Sequence, residues 1–581
     1  MMTVPTMLTQ SLPMRIHRIT KAAIFSLFFF LGSPLFVMAQ DPGLADLARE
    51  QRNAKQTDTP AQADPSHPNL SQGKGIGELA RERRLLNKPA EVKVTEAELQ
   101  HVFASMNEII TFATDDTGMF SLHPVKRQLV GQDEVARREK EALADSEEAK
   151  RTKRSELVLK KFGLFPRNLD LKALLLEGSG KSVAGFYDPR TKTLNLLNWI
   201  DLEAQRPIMA HELTHALQDQ NYDLTNWAGF KRRTQPIVSK MRVEDDNGEE
   251  NLSRRAVVEG QAMIVYFDYL LQPFRVRLAD NPLAIDFVKN NMEPAYEHPV
   301  TMRNAPLLLI DTAIFPYREG LNFEMELLKK GGKDMAFAGA FTRPPHNTHE
   351  VLEPSAYFSE EKRPASVMPD LTPVLADKFE PYDSGGMGAL EARVMAREYG
   401  RDNDTFVIEP AWQGGSYVAV KRIATPALDP EKMTTADVSM LYVSRWKSAE
   451  AADRFVELYK KSLGKRVTVK DESPVGQASC LSSGKCPVSG TKVNTSEGPV
   501  FLEIWPNHLV FISHSFDDET VARLRQAVMN HTQGPKTRAS ATPDRELKDL
   551  SESLYDLPAF AAFQSNLQRE IMDSLSALRP Q

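Results

Sequence analysis

Cysteine is nearly missing from this chain: among 581 residues only Cys480 and Cys486 occur, so no disulfide framework carries the fold. The pair lies in a Ser- and Gly-rich stretch, as either a local surface bridge or two free thiols, with no metal site assigned to it. Structure must come from buried apolar surface, and 41% hydrophobic residues over this length supply enough for roughly three or four units. Charge of one sign is also lacking. With 72 basic and 78 acidic side chains the net charge is -6, which gives no field that attracts a phosphate backbone, and no nucleic-acid partner is expected. Long apolar runs are scarce. The segment from Leu252 to Leu271 is the most apolar of the interior, but it holds Glu259, Gln261 and Asp268 and stops before Pro273, which makes it a buried helix rather than a membrane span.

The exception is the N-terminus. Arg15, His17, Arg18 and Lys21 precede an apolar run from Ala22 to Phe36, and Val37-Met38-Ala39 follows, the pattern of a signal peptide over residues 1–39 with a cut before Gln40. This predicts export, periplasmic or secreted; a membrane enters only if the segment stays uncleaved. Residues 40–90 are polar and rich in Pro, Gln, Asp and Lys, a disordered linker. A charged run from Asp133 to Arg154 reads as a solvated helix. An α+β catalytic domain is expected over 91–425 and a small α+β domain over 437–533 with a loop insertion at 476–498, followed by a polar linker and terminal helix over 534–581. Within the first domain, Val183–Tyr187 and Leu194–Leu197 flank the turn residues Asp188 to Lys192 and predict a β-hairpin.

The chemistry-bearing segment is "PIMAHELTHALQDQ". In a helix, residues four apart share a face, so His211 and His215 present two imidazoles side by side, as a zinc ion requires. Glu212 projects from the adjoining position, where it reaches a water polarised by the metal without itself being a ligand. A catalytic zinc takes a third protein ligand and keeps one position open. Glu259 is the candidate, because Val257, Val258, Ala262, Met263, Ile264 and Val265 surround it, and a carboxylate in so apolar a helix is costly unless paired or bound to a metal; an ion pair with Arg255 is the alternative. Gly260 and Ala262 would let this helix approach the histidine helix closely. Asp219, one turn past His215, is the candidate for holding that imidazole from behind. Tyr266, His346 and His349 are candidate transition-state donors, against packing for the tyrosine and plain exposure for the histidines.

"AHELTHALQDQ" followed by "VVEGQA" resembles gluzincin-type bacterial zinc metallopeptidases of a peptidase-MA-like group, and the resemblance extends through "VAGFYDP", "RPPHNTHEVL" and "GGSYVAV" across Ala184 to Arg422. It implies a zincin-like fold with one Zn²⁺ per chain, a protein or peptide substrate, and an edge strand at Gly185 and Phe186 that binds substrate in extended form. The longer metzincin pattern is absent, since Gln218 stands at its glycine position. A non-catalytic binding or assembly protein that retains such a fold is the other reading.

Overall fold

Helical and alternating apolar patterns segregate along this chain, and the architecture follows them: helices dominate up to residue 375, and most strands lie between 379 and 514. The computed structural model describes residues 96–131, 137, 146–178, 185–197, 206–227, 241, 248–286, 288, 305–359, 368–401, 403–423, 429, 432–476, 479–531 and 548–549. The expected signal peptide, linker and terminal helix lie outside the described residues. The fold is mixed α+β.

The first part contains α1 (Glu96–Thr117), β1 (Lys126–Val130), α2 (Ser146–Phe162), α3 (Leu171–Gly178), β2 (Phe186–Asp188), β3 (Thr193–Leu197), α4 (Arg206–Tyr222), α5 (Gly248–Leu271) and α6 (Leu307–Asp334). Strands β1, β3 and β2 form a small sheet in that order, with β1 parallel and β2 antiparallel to β3, so β2 is an edge. Helix α4 is buried on every side from Pro207 to Asp219, enclosed by α1, α5, β2 and β3. A helix so enclosed keeps polar side chains only where they partner one another or a ligand. That condition selects the site.

Helices α5 and α6 meet backbone to backbone. A methyl group at Gly260 would sit 2.3 Å from the Gly320 carbonyl oxygen, and one at Gly320 would sit 2.2 Å from that of Ala256. The expectation that Gly260 brings α5 close to the histidine helix is therefore corrected: this glycine faces α6. Spacing along one helix tells which residues share a face, not which neighbour that face meets.

The second part contains β4 (Phe379–Gly386), α7 (Ala389–Tyr399), β5 (Trp412–Arg422), β6 (Val438–Trp446), α8 (Ala449–Arg466), β7 (Val469–Pro474), β8 (Ser489–Thr495), β9 (Gly498–Trp505), β10 (Leu509–His514), α9 (Asp518–Asn530) and β11 (Lys548–Asp549). The strands form one sheet ordered β11-β4-β5-β6-β10-β9-β8-β7. Alternation divides its residues between two cores. Val418, Val420, Leu441, Val443 and Phe511 pack with Val521 and Leu524 of α9, while Tyr417, Ala419, Met440, Tyr442 and Ile512 pack toward α7 and α8. Ser448 and Asp517 begin α8 and α9 by accepting from the backbone N–H groups of Ala451 and Thr520.

Two expectations are corrected here. Strand β5 pairs with β6 from Trp412↔Trp446 to Lys421↔Val438, so the boundary expected between 425 and 437 is a connection inside one sheet. A polar connection looks the same in sequence whether or not the strands it joins pair. Likewise 476–498 is not wholly a loop insertion, because β8 occupies Ser489–Thr495 and pairs with both β7 and β9. Its Ser, Gly, Thr, Lys and Asn content hides a strand that is half-exposed near the sheet edge. Cys480 and Cys486 in the remaining loop are disulfide-bonded. The charged run ends in a helix that is only partly solvated: Thr152 is buried, as are Ser155, Glu156, Lys160 and Lys161 further along α2. No described helix is long and apolar enough to cross a membrane.

Candidate functional site

Helices α4 and α5 pack against each other, and their polar residues converge at one point. His211 Nε2 lies 3.1 Å from His215 Nε2, and Glu259 Oε2 lies 3.1 Å from the first and 3.3 Å from the second. The two imidazoles stand nearly perpendicular, with ring centroids 4.7 Å apart. Glu212 also brings a carboxylate oxygen within 4.8 Å of both histidines. Glu259 Oε2 thus contacts both imidazoles, and Glu212 Oε2 accepts from the Tyr187 N–H of β2 at 2.8 Å. The His215 and Glu259 side chains keep 11% and 16% of their surface exposed, so solvent reaches the cluster from their side, while His211 is fully enclosed.

Burial and charge act on these groups in opposite senses. Desolvation is the largest influence on Glu259 and favours its neutral form, but His215 and His211 outweigh it and hold the carboxyl well below the usual range. For Glu212 burial prevails over the nearby imidazoles and the Tyr187 N–H, and its pKa is raised. Burial opposes a charge on His215, yet Glu259 and Glu212 together lift it to about 9. In this environment a proton occupies the place that a cation bound between the same donors would take.

The back of His215 is held by a residue that sequence reasoning passed over. His215 Nδ1 lies 2.8 Å from Gln218 Oε1, and Gln218 Nε2 donates to the Val258 carbonyl and to Gln261 Oε1, both at 3.0 Å. Gln261 Nε2 in turn donates to the carbonyls of Ala336 and Phe337. A backbone carbonyl only accepts, so these contacts fix both amides with nitrogen toward carbonyl. Gln218 Oε1 therefore faces the imidazole and accepts from Nδ1–H, which leaves Nε2 to donate to Glu259 in the protonated ring and to offer a lone pair to a cation that took that proton's place. Gln218 sits three residues after His215, on the same face, and that spacing is legible in the sequence.

Asp219 is corrected. It does not hold His215; its Oδ2 accepts from the Tyr187 hydroxyl and from Lys192 Nζ, each at 2.7 Å, and its Oδ1 accepts from Leu224 N. It fastens the β2–β3 hairpin to α4. Tyr266 is fully buried, with its ring edge-on to Phe267, and stands two helical turns, about 10 Å, from Glu259 along α5. His346 is exposed beside Glu350. His349 is buried near Trp412 in a short helix whose Thr348 bonds Glu249, which lies about 15 Å along α5 from Glu259. Tyr317 of α6, not anticipated, lies against the His211 ring with centroids 6.2 Å apart. Gly185 is buried at the start of β2, and Phe186 pairs with Asn195.

In comparisons with known proteins, no family model, curated protein or solved structure matches this chain. A cavity between α2 and the large sheet is also present, but it shares no residue with the histidine cluster and lacks its converging acceptors. What the histidine cluster does must follow from its own chemistry.

Proposed function

We propose that this chain is a zinc-dependent hydrolase with a zincin-like catalytic unit. More particularly, we read it as an exported metallopeptidase that cleaves peptide bonds with Glu212 as general base. One observation carries this: the donor edges of 3.1, 3.1 and 3.3 Å among His211, His215 and Glu259 match the roughly 3.3 Å expected between ligands about 2.0–2.1 Å from a tetrahedral zinc. These three residues would hold the ion, one per chain, and leave a fourth position open. Gln218 supports the fit by orienting the His215 lone pair inward.

A zinc ion there supplies Lewis acidity, polarising a peptide carbonyl and making water acidic enough to lose a proton near neutral pH. The chain's own residues do the rest. Glu212 accepts that proton and delivers it to the departing amine, and burial, by raising its pKa, makes it the stronger base for the task. No covalent intermediate is required. Strand alternation turns the main-chain groups of Gly185 to the same edge as the Tyr187 N–H that meets Glu212. An extended protein or peptide substrate pairing along Gly185 and Phe186 would therefore run past the general base.

The test joins metal analysis of the purified protein to proteolysis of an unfolded protein with and without chelator. Glu212→Gln keeps shape and metal but accepts no proton, and proteolysis is expected to fall by about 10² to 10⁴ with zinc content unchanged. Equal rates in variant and wild type would sink the assignment of Glu212. Zinc binding without cleavage of any member of a broad peptide library would instead favour a binding or assembly protein built on the same site.

A further inference from the structure

The cavity between α2 and the large sheet has an unusual charge balance. Lys160, Lys161, Arg167 and Arg466 line it, and among its described lining residues Glu497 is the only carboxylate. Lys161 and Arg466 are 3% and 8% exposed. The Lys161 ammonium donates to the Thr435 carbonyl, Ser515 Oγ and Glu497 Oε2 at 2.9, 2.9 and 3.0 Å, so its donors are used. Arg167 donates to Glu497 Oε1, which also accepts from Thr435 Oγ1. Both carboxylate oxygens are thus engaged. Arg466 gives its terminal nitrogens to the Lys161 carbonyl and to Ser462 Oγ, and its Nε is buried with no acceptor.

Four cations around one carboxylate leave an excess of positive charge; Lys160 is answered by Glu156 and Arg167 keeps 44% of its side chain exposed, but Lys161 and Arg466 are nearly cut off from water, and buried charge that is not compensated is expensive. Its field acts on the other groups. Lys161 is lowered to about 8, first by burial and then, against the pull of Glu497, by Arg466 and Arg167. His514 is pushed well below its usual value by burial, Arg466 and Lys161, and so adds no charge of its own. The space is small: the centre of a water-sized sphere has about 10 Å³ in which to move. That admits one water or one ion of similar size.

We propose that this cavity binds a single halide-sized monovalent anion, chloride in practice, which accepts from Arg466 Nε and offsets the excess charge between α2 and the sheet. The site joins Lys161 of α2, Arg466 of α8 and Glu497 of the β8–β9 turn, so occupancy would fasten the helix to the sheet. This does not depend on the peptidase reading.

The test compares full-length protein in sodium chloride and sodium gluconate at equal ionic strength and neutral pH, gluconate being too large to enter. Chloride is expected to raise the melting temperature saturably, by about 1–3 °C at tenfold excess over its dissociation constant. It should also broaden the ³⁵Cl resonance, with the broadening reversed by bromide. Arg466→Lys keeps the charge but lacks Nε and should weaken chloride at least tenfold, whereas Glu497→Gln removes the competing acceptor and should tighten it. If the arginine variant does not fold, the glutamate variant and the wild-type resonance still decide. Equal melting in both salts with no excess broadening would mean that the cavity holds only water and overturns the proposal; so would chloride affinity that neither substitution changes.

Discussion

The two buried polar clusters of this protein are electrostatic opposites. Between α4 and α5, two imidazole nitrogens and a carboxylate oxygen converge on one point, an excess of electron-pair donors. Between α2 and the sheet, four cationic side chains line a cavity with one carboxylate. Both occur where desolvation is costly. On the two proposals made above, the first would hold a cation and the second an anion. The difference teaches that burial alone does not set what a polar cluster can hold: the sign of what is left over does.

That contrast is best broken at its strongest point. Replacing Glu259 with alanine leaves two imidazoles without their carboxylate, and zinc affinity is expected to fall by more than the roughly 10–100-fold that changes behind a ligand cost. Titration with a competing chelator measures it. Retention of wild-type affinity would return attention to Glu212, the other carboxylate near the histidines.

The cationic cluster yields a prediction of opposite character. Folded Lys161 releases its proton near pH 8, whereas in the unfolded chain it does so near 10.5. Between these values the unfolded chain binds more protons, so this group makes stability rise with pH across that window, by up to about 3 kcal/mol. Denaturant unfolding from pH 7 to 10.5 in chloride-free buffer should show this component in wild type and its loss in Lys161→Met. Parallel curves for the two proteins would show that Lys161 is not desolvated as described.

The smallest expected effect separates Gln218 from Asp219. Gln218→Leu removes the acceptor behind His215 and should weaken zinc about 10–100-fold, whereas Asp219→Asn should loosen the β2–β3 hairpin while zinc affinity stays near wild type. If Asp219→Asn weakens zinc as much as Gln218→Leu, the hairpin contact is not its main role.

Much of the first cluster is legible in the chain, because its geometry is local. The four-residue spacing of His211 and His215 and the apolar flanks of Glu259 need only the period of a helix and the cost of a buried carboxylate. Gln218 was equally local and was passed over because a carboxylate one turn on, Asp219, is the more familiar partner for a ligating histidine. The second cluster has no local signature at all. Lys161, Arg466 and Glu497 are hundreds of positions or tens of positions apart, on separate elements, and each alone reads as an ordinary surface charge. The strand at Ser489–Thr495 escaped notice for a related reason, since its partners, not its composition, make it a strand.

By itself the sequence determined the helices, the alternation that splits the sheet residues between two cores, and the face on which the histidine pair lies. These depend on interactions within a few residues. Only the tertiary structure decided that Gly260 meets α6, that β5 and β6 join what read as separate domains, and that Asp219 holds a hairpin rather than a histidine. Each of those is a choice of partner among surfaces distant in sequence, and periodicity orients a surface without saying what will cover it.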